Sequence, residues 1–222
     1  MRQTGRSLPR REGQLPEALF DRLFSGCAIE RYAVDQHVFL QDDKSDRLFG
    51  IVSGTIEISH YSPSGRKLVA NVESSHSLVG EVGALDGGIR TATATCLTDC
   101  ELYSVSRAQL IGRIEADPQV ALGLIQLLCS RVRWISTEFG DQVLLKVDAR
   151  LAKRLLFLAY MLARGDDWIT ISQTELAEFL GTTRESVNKT MTAWKAQKLI
   201  DVRRGGVRIA DLARLKDLAS GN

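Results

Sequence analysis

Short runs of alternating apolar and polar residues fill about the first hundred positions and predict β-strands. Turn residues separate the runs, as at 42–43, 53–54, 63–65 and 86–88. The predicted strands cover 37–40, 48–52, 55–61, 67–72 and 101–105, after a short helix over 16–24. Antiparallel strands at this regular spacing are typical of a sandwich or barrel.

The period of the apolar residues changes to that of a helix after Asp117-Pro118. This pair fits a helix start, because proline is tolerated in a first helical turn. Apolar residues then recur at alternating spacings of three and four, at Ile125, Leu128, Val132, Ile135, Phe139 and Val143. This alternation is the seam of a coiled coil. The helix could instead lie on its own domain's core. Its length over 118–145, about 42 Å, and its narrow seam favour pairing with a second copy.

The pattern beyond this helix indicates a small C-terminal domain. In order, it predicts a hinge at 146–147, a helix over 149–164, a strand over 168–171, helices over 173–181 and 182–191, and a hairpin over 199–209. Ala177 is small enough to let the two short helices approach, and Gly181 can adopt the positive φ of a tight turn. Val187 packs the second helix on the first, and Thr183 or Thr182 caps it. This is the spacing of a helix-turn-helix.

Polar residues on the second helix and at the hairpin tip suit DNA. The predicted DNA-binding residues are Thr183, Arg184, Glu185, Asn188, Lys189, Arg203 and Arg204. In a major groove, arginine and lysine bond guanine, and glutamate accepts from the cytosine amino group. A basic hairpin beside such a helix is a wing that contacts phosphates. An ordinary helical hairpin with surface charges is the alternative, which the combined spacing disfavours.

Composition and charge narrow the class of protein. The 222 residues include 29 Lys+Arg and 27 Asp+Glu, a net charge of +2, and 44% are hydrophobic, so global disorder is excluded. The segment 173–208 holds seven basic and four acidic residues, which favours a polyanion partner there. No run of eighteen apolar residues occurs, and residues 1–12 are polar, so neither a membrane span nor a secretory signal is predicted. Four scattered cysteines favour a reduced, cytoplasmic protein.

A second motif lies in the glycine-rich segment 78–94. Glycines at 80, 83, 87 and 88 permit a tight loop whose backbone N–H groups converge on an anion. Arg90 offers a fork that matches phosphate oxygens, with the Thr91 hydroxyl beside it. Glu81 can only accept hydrogen bonds, so it suits a hydroxyl such as that of a ribose.

Residues from about 15 to 210 resemble the catabolite-activator (CRP–FNR) family of bacterial transcription regulators. The resemblance is carried by Gly80-Glu81 and Arg90-Thr91-Ala92 in the phosphate-binding cassette, Arg184-Glu185 and Lys189 at the base-reading positions, and the turn glycines Gly54 and Gly65. It implies an α+β fold of homodimers. The domains would be a cyclic-nucleotide-binding, jelly-roll-like β-roll over 1–117, a long dimerisation helix with its hinge over 118–146, and a winged helix-turn-helix over 147–222.

The resemblance also implies a cyclic nucleotide as allosteric ligand. The implied ligand-binding residues are Gly80, Glu81, Val82, Arg90, Thr91, Ile135 and Ser136. Glu81 would hold the ribose hydroxyl, and Arg90 with Thr91 would hold the cyclic phosphate. Ser136 would reach the adenine of the nucleotide that is bound in the partner subunit. Ile135 stands where cAMP receptors have a threonine, and Thr91 resembles sites that accept cGMP. Cyclic AMP is therefore the first choice and cGMP the second.

The predicted function is a cyclic-nucleotide-responsive transcription regulator. Its partners would be palindromic double-stranded DNA, a second copy through 118–145, and RNA polymerase, without a membrane. One alternative is a regulator of the same fold that needs no nucleotide because Arg90 and Glu81 pair. Another is a ligand-sensing subunit that acts by protein contact.

No metal and no catalytic residues are predicted. Cys27 stands alone near the N-terminus, where an iron–sulfur relative would need several cysteines, and His76 has no second ligand beside it. No nucleophile–base pair is recognisable, so an enzyme is not expected. Lys189 replaces the arginine usual in the catabolite activator, which would turn a bidentate guanine contact into a monodentate one.

Overall fold

The computed structural model describes residues 14–162 and 167–220. The polar N-terminus at 1–12 and the end of the helix predicted over 149–164 therefore lie outside the described residues. Contacts group the chain into two compact units. The first runs through His60 and includes Asn71–Ser136, and the second includes Tyr61–Ala70 and the residues from Thr137 onward. The domain limits inferred from the sequence stay a prediction.

The first unit is built on two four-stranded sheets, with strand orders β1-β8-β3-β6 and β2-β7-β4-β5. The strands are β1 (Ile29–Tyr32), β2 (His37–Phe39), β3 (Arg47–Ser53), β4 (Thr55–Tyr61), β5 (Lys67–Ser74), β6 (Leu78–Val79), β7 (Thr93–Cys96) and β8 (Cys100–Ser106). Inward-facing apolar residues form one core, including Phe49, Ile51, Ile56, Ala94, Cys96 and Leu102. The predicted N-terminal β-roll is confirmed, and β1, β6 and β7 are strands that the pattern did not predict.

The helices that the described residues form beside these sheets are α1 (Glu17–Leu23), α2 (Glu81–Asp86), α3 (Arg107–Ala116) and α4 (Pro118–Leu144). The sequence pattern did not predict α3, although its start carries a capping box. The Ser106 hydroxyl accepts from the Gln109 N–H at 3.2 Å, and the Gln109 side chain accepts from the Ser106 N–H at 2.8 Å. This reciprocal pair satisfies two backbone donors that the helix leaves without partners.

The long helix α4 has two apolar faces. It begins at Pro118 as predicted, and Asp117 accepts from the Gln119 N–H at 3.0 Å. One face, with Val120, Leu124 and Leu127, is buried in the core that α1 and α3 share. The opposite face is the predicted seam, and its exposed apolar residues are Ile125, Val132, Ile135, Phe139 and Val143. The helix therefore lies on its own core and also keeps a stripe that no residue of 14–162 or 167–220 covers.

The second unit contains the predicted helix-turn-helix and hairpin. Its elements are α5 (Val147–Leu162), β9 (Trp168–Thr170), α6 (Gln173–Leu180), α7 (Arg184–Ala196), β10 (Ile200–Arg203), β11 (Gly206–Ile209) and α8 (Leu212–Ala219). The strands form a sheet in the order β10-β11-β9. Among the helices of residues 14–162 and 167–220, none is long and apolar enough to cross a bilayer.

We predict that Gly54→Ala destabilises the first unit by about 3 kcal/mol, which combines left-handed strain with overpacking. Gly54 has φ 97°, and a Cβ there would lie 2.5 Å from Cys100 Sγ and 2.6 Å from the Asp99 carbonyl oxygen. The matched control is Gly26→Ala, because Gly26 has φ 73° with no atom within 4 Å of its added Cβ. Urea unfolding should give a loss of about 1 kcal/mol for the control. Equal losses in the two variants would contradict the close approach at Gly54.

Candidate functional site

Gly80 joins β6 to α2 and is required for two reasons. Its φ is 78°, and an added Cβ would lie 2.2 Å from Arg90 Nη1. The prediction that the glycines of 80–88 form one tight loop is wrong, because Glu81–Asp86 forms α2. Gly83 lies inside this helix and faces Ser45, whose Cβ would be 2.4 Å from a Cβ at position 83. The glycines therefore serve the turn and the close packing of α2.

Arg90 is buried and reaches back to the start of the cassette. Its Nη1 donates to the Gly80 carbonyl at 2.9 Å, and its Nη2 donates to the Arg47 carbonyl at 2.7 Å. The guanidinium lies 4.1 Å from the centre of the Phe39 ring. Nε is buried without a hydrogen-bond partner among the described residues, and burial lowers the pKa of the group. A buried cation with an unused donor is suited to receive an anion.

Glu81 is buried too, and its partner is an arginine of α4. Arg131 forms ion pairs with Glu81 Oε1 through Nη1 and with Glu73 Oε1 through Nη2, the latter at 3.2 Å. Nη2 also donates to the Leu78 carbonyl at 2.7 Å. Neither Arg131 nor Glu73 was predicted from the sequence. Arg131 follows Leu127 by four residues, so a cation that continues the buried face of α4 was the available signal.

Burial and neighbouring charges shift the pKa values of Glu73 and Arg131. Burial raises the pKa of Glu73, although the Arg131 cation opposes the shift. Burial lowers the pKa of Arg131, but the Glu81 and Glu73 carboxylates outweigh it and the net shift is upward. Arg131 therefore stays charged, and Glu73 is more prone than an exposed glutamate to take up a proton.

The remaining predicted ligand residues are exposed. Val82 and Thr91 adjoin Glu81 and Arg90 in the chain. Ile135 and Ser136 lie about one turn beyond Arg131 on α4, and the Ser136 hydroxyl donates to the Val132 carbonyl at 2.9 Å. The structure thus brings Gly80 and Arg90 together and links Glu81 to α4, while Ser136 stays open to solvent.

The helix-turn-helix of the second unit is held by its caps. Gly181 ends α6 in the left-handed region at φ 60°. Thr183, rather than Thr182, caps α7, because its hydroxyl accepts from the Ser186 N–H at 3.2 Å. Val187 is fully buried, as expected. At the start of α6, Ser172 forms a capping box with Glu175 that the sequence interpretation had overlooked.

The outer face of α7 presents polar side chains. The exposed residues there are Thr183, Arg184, Glu185, Asn188 and Lys189. Asn188 Oδ1 accepts from Gln173 Nε2 at 3.2 Å, which orients its amide. The pKa of Glu185 is lowered by hydrogen bonds from its own backbone N–H and from the Thr183 hydroxyl, so the Glu185 side chain is an anion at neutral pH. Donors and an acceptor therefore stand together on one helix face.

The two hairpin arginines differ in their surroundings. Arg204 and Gly205 form the turn between β10 and β11, and Arg204 is exposed at the tip. Arg203 lies over the Trp168 ring, with its guanidinium carbon 4.2 Å from the ring centre. Arg208 lies 5.3 Å from the same ring. Trp168 thus supports the hairpin, a role that the sequence interpretation did not assign.

The cysteines are free thiols. Cys96 and Cys100 are both buried in the β-roll core and hydrogen-bond to each other, and burial raises the pKa of Cys96 to about 12. A thiol that stays protonated is a poor metal ligand and nucleophile. Within the part of the chain that the structure describes, no three His, Cys, Asp or Glu side chains are placed to share a metal ion.

Comparison with known proteins assigns both parts of the chain. The family model of the cyclic nucleotide-binding domain matches residues 29–117, and that of the Crp-like helix-turn-helix domain matches 149–218. The CRP-like cAMP-activated global transcriptional regulator of Mycobacterium tuberculosis is 30% identical over 183 residues, 80% of this chain and 82% of that protein. The cAMP-activated global transcriptional regulator CRP of Salmonella typhimurium is 25% identical over 181 residues, 79% and 86% of the two chains.

Solved structures share this architecture. The c-di-GMP responsive global regulator CLP of Xanthomonas campestris superposes with a TM-score of 0.75 at 21% identity, over 88% of this chain and 100% of that one. A cyclic nucleotide-binding β-domain, a long helix and a DNA-binding helix-turn-helix together define a transcription regulator rather than an enzyme. The chain belongs to the CRP/FNR family of bacterial regulators.

Proposed function

We propose that this protein is a homodimeric transcription regulator whose affinity for operator DNA is set by a cyclic nucleotide, with cAMP as the first choice and cGMP as the second. The observation that carries the proposal is the buried Arg90, whose Nε has no partner in the described part of the chain, next to the Gly80-Glu81 turn. A cyclic phosphate is a singly charged anion with oxygens that match a guanidinium.

The ribose end of the ligand would be held by Glu81. Its Oε1 pairs with Arg131, which leaves Oε2 as an acceptor, and a carboxylate has about four lone-pair sites. A 2′-hydroxyl can therefore be bound without breaking the ion pair. Because Arg131 belongs to α4, a nucleotide on Glu81 would also act on the helix.

The choice of base depends on residues outside the buried cluster. Two relatives of this chain are named as cAMP-activated regulators, which supports cAMP. The exposed Thr91 offers a hydroxyl beside Arg90 that suits a guanine amino group, whereas Ile135 has no polar atom for either base. We therefore expect both nucleotides to be compared in every binding experiment.

We predict that Arg90→Leu weakens binding of cAMP or cGMP about 100-fold, because charge-assisted hydrogen bonds to the phosphate are lost. The matched control is Arg31→Leu, which removes an exposed arginine that pairs with Glu101 in the same unit. Isothermal titration calorimetry of the wild type and both variants measures the effect.

The control should bind as the wild type does. If the wild type releases no heat and gains no thermal stability with millimolar nucleotide, the nucleotide part of the proposal is wrong. If the protein binds operator DNA equally tightly with and without nucleotide, the alternative of a same-fold regulator that needs no nucleotide is supported.

Dimerisation through α4 is the second part of the proposal. Five apolar side chains on its outer face are more than half exposed, from 56% for Ile125 and Ile135 to 70% for Phe139. Their alternating spacing lets a second copy pack knobs into holes along the helix. An uncovered stripe of this kind favours association in water.

We predict that the wild type sediments at twice the chain mass of 24.6 kDa and that Phe139→Ser weakens the dimer about 100-fold or more, because each dimer loses two buried rings. Leu97→Ser is the control, since Leu97 is 43% exposed on a β-roll turn away from the stripe. Sedimentation equilibrium distinguishes the outcomes. A monomeric wild type at micromolar concentration would contradict the proposal.

Control of DNA binding would be a population shift between dimer states. The ligand, held by Arg90 and Glu81, would meet Ser136 from the partner subunit, whose hydroxyl is exposed on α4. A ligand favours the state in which it makes more contacts. In the favoured state the two recognition helices would be one DNA turn apart, about 34 Å. RNA polymerase is the expected partner at the promoter.

We predict that Arg184→Ala makes the free energy of binding to a preferred operator less favourable by about 1–3 kcal/mol and relaxes the sequence preference of the protein. In contrast, Arg204→Ala should weaken binding to all DNA sequences alike and lower the slope of log affinity against log salt concentration by about one. Arg184 is on the exposed face of α7 and Arg204 at the wing tip. Fluorescence anisotropy would compare an operator selected from random sequence with scrambled DNA. If the affinity of the wild type for DNA does not depend on salt concentration, the protein is not a DNA-binding regulator. The alternative of a ligand-sensing subunit that acts by protein contact is then supported.

A further inference from the structure

Glu73 is a buried carboxylate that has no role in the nucleotide binding proposed above. It lies on β5, is 6% exposed, and accepts at Oε1 from Arg131 Nη2 at 3.2 Å and from Asn71 Nδ2 at 3.1 Å. It shares Arg131 with Glu81, so one cation serves two carboxylates. Two buried anions at one guanidinium are costly unless a further positive group compensates them.

Both cations of the described pocket are already opposed by carboxylates. Arg131 is shared by Glu73 and Glu81. Arg90 interacts electrostatically with Asp46, Glu81 and Asp43, and with the Arg47 cation as well. A cyclic phosphate adds one negative charge to this buried group. Because an uncompensated charge is unfavourable in a low-dielectric site, the complex becomes more stable if one of the anions is neutralised.

We propose that Glu73 is a charge-balancing residue of the nucleotide site that takes up one proton from solvent when the cyclic nucleotide binds. Its Oε1 keeps the hydrogen bond from Arg131, and the other carboxylate oxygen receives the proton. Arg131 is then free of one anion and is shared by Glu81 and the ligand. This inference rests on the proposed function and adds to it that acid favours nucleotide binding.

Glu73 is better suited to this step than Glu81. The groups that face it are Arg131 from α4, Glu81 from α2, and the neutral side chains of Asn71 and Ser77. Burial and the Glu81 charge raise its pKa, which brings protonation closer to neutral pH. Glu81, in contrast, is the group whose free oxygen the ribose needs. A bound anion raises the pKa of Glu73 further, so the complex holds more protons than the free protein.

The first test uses the unmodified full-length protein. Calorimetric titration with cAMP, and separately with cGMP, is run at one pH in several non-phosphate buffers that differ in ionisation enthalpy. The expected result is an observed heat that depends on the buffer and corresponds to uptake approaching one proton per subunit. Affinity should rise as pH falls between the Glu73 pKa of the complex and the lower pKa of the free protein, and level off below it.

The second test replaces the carboxylate by a neutral side chain of the same shape. Glu73→Gln should bind nucleotide about tenfold tighter than the wild type above neutral pH, take up no proton, and lose the pH dependence. The matched control is Glu101→Gln, because Glu101 is a partly exposed carboxylate paired with the exposed Arg31 in the same unit. The control should keep the wild-type proton uptake.

The outcomes separate this inference from the proposed function. Binding by the wild type with no proton uptake, or the same uptake in Glu73→Gln, would overturn the role of Glu73 and leave a nucleotide-responsive regulator. Absence of binding by the wild type would overturn the proposed function itself. If Glu73→Gln fails to fold by circular dichroism, the wild-type proton count still decides.

Discussion

The ion pairs of Arg131 are the constraint on which the first unit depends. A guanidinium on the buried face of α4 holds Glu81 at the start of α2 and Glu73 on β5, and it donates to the Leu78 carbonyl next to both. Residues of β5, β6 and α2 thus meet at the side chain of Arg131, which lies 58 residues from Glu73 and 53 from Leu78 in the chain. Because removal of the cation would leave two buried anions unpaired, these elements cannot separate without a cost of several kcal/mol. A ligand that perturbs the cluster therefore acts on the helix.

The same helix explains how a small pocket could influence a partner. Val120 and Leu127 fix α4 to the core of its own chain, and Phe139 lies on the exposed stripe of the other side. Side chains pack too densely for one face to shift while the other stays in place. The proposed switch needs only this coupling and the exposed hydroxyl of Ser136.

The parts of the fold predicted from sequence are those with a local signal. Periodicity located α4, and the Gly181–Thr183 turn located the helix-turn-helix, because these depend on neighbours within a few residues. Short strands such as β6 and β7 were not predicted, since two to four residues are too few to show a period of two. The proximity of Gly80 and Arg90 was predicted from the sequence motif, whereas Glu73 was not predicted. Its role depends on a tertiary contact with Arg131, which is 58 residues away in the chain.

The two faces of α4 also limit how the chain can change in length. Each residue of a helix adds about 100° of rotation, so one extra residue between Leu127 and Ile135 would turn the outer stripe by more than a quarter of a circle relative to the face that is anchored in the core. An added seven residues would nearly restore its direction. Lengthening by whole double turns is therefore the route by which such a helix could span a longer distance and keep its angular phase.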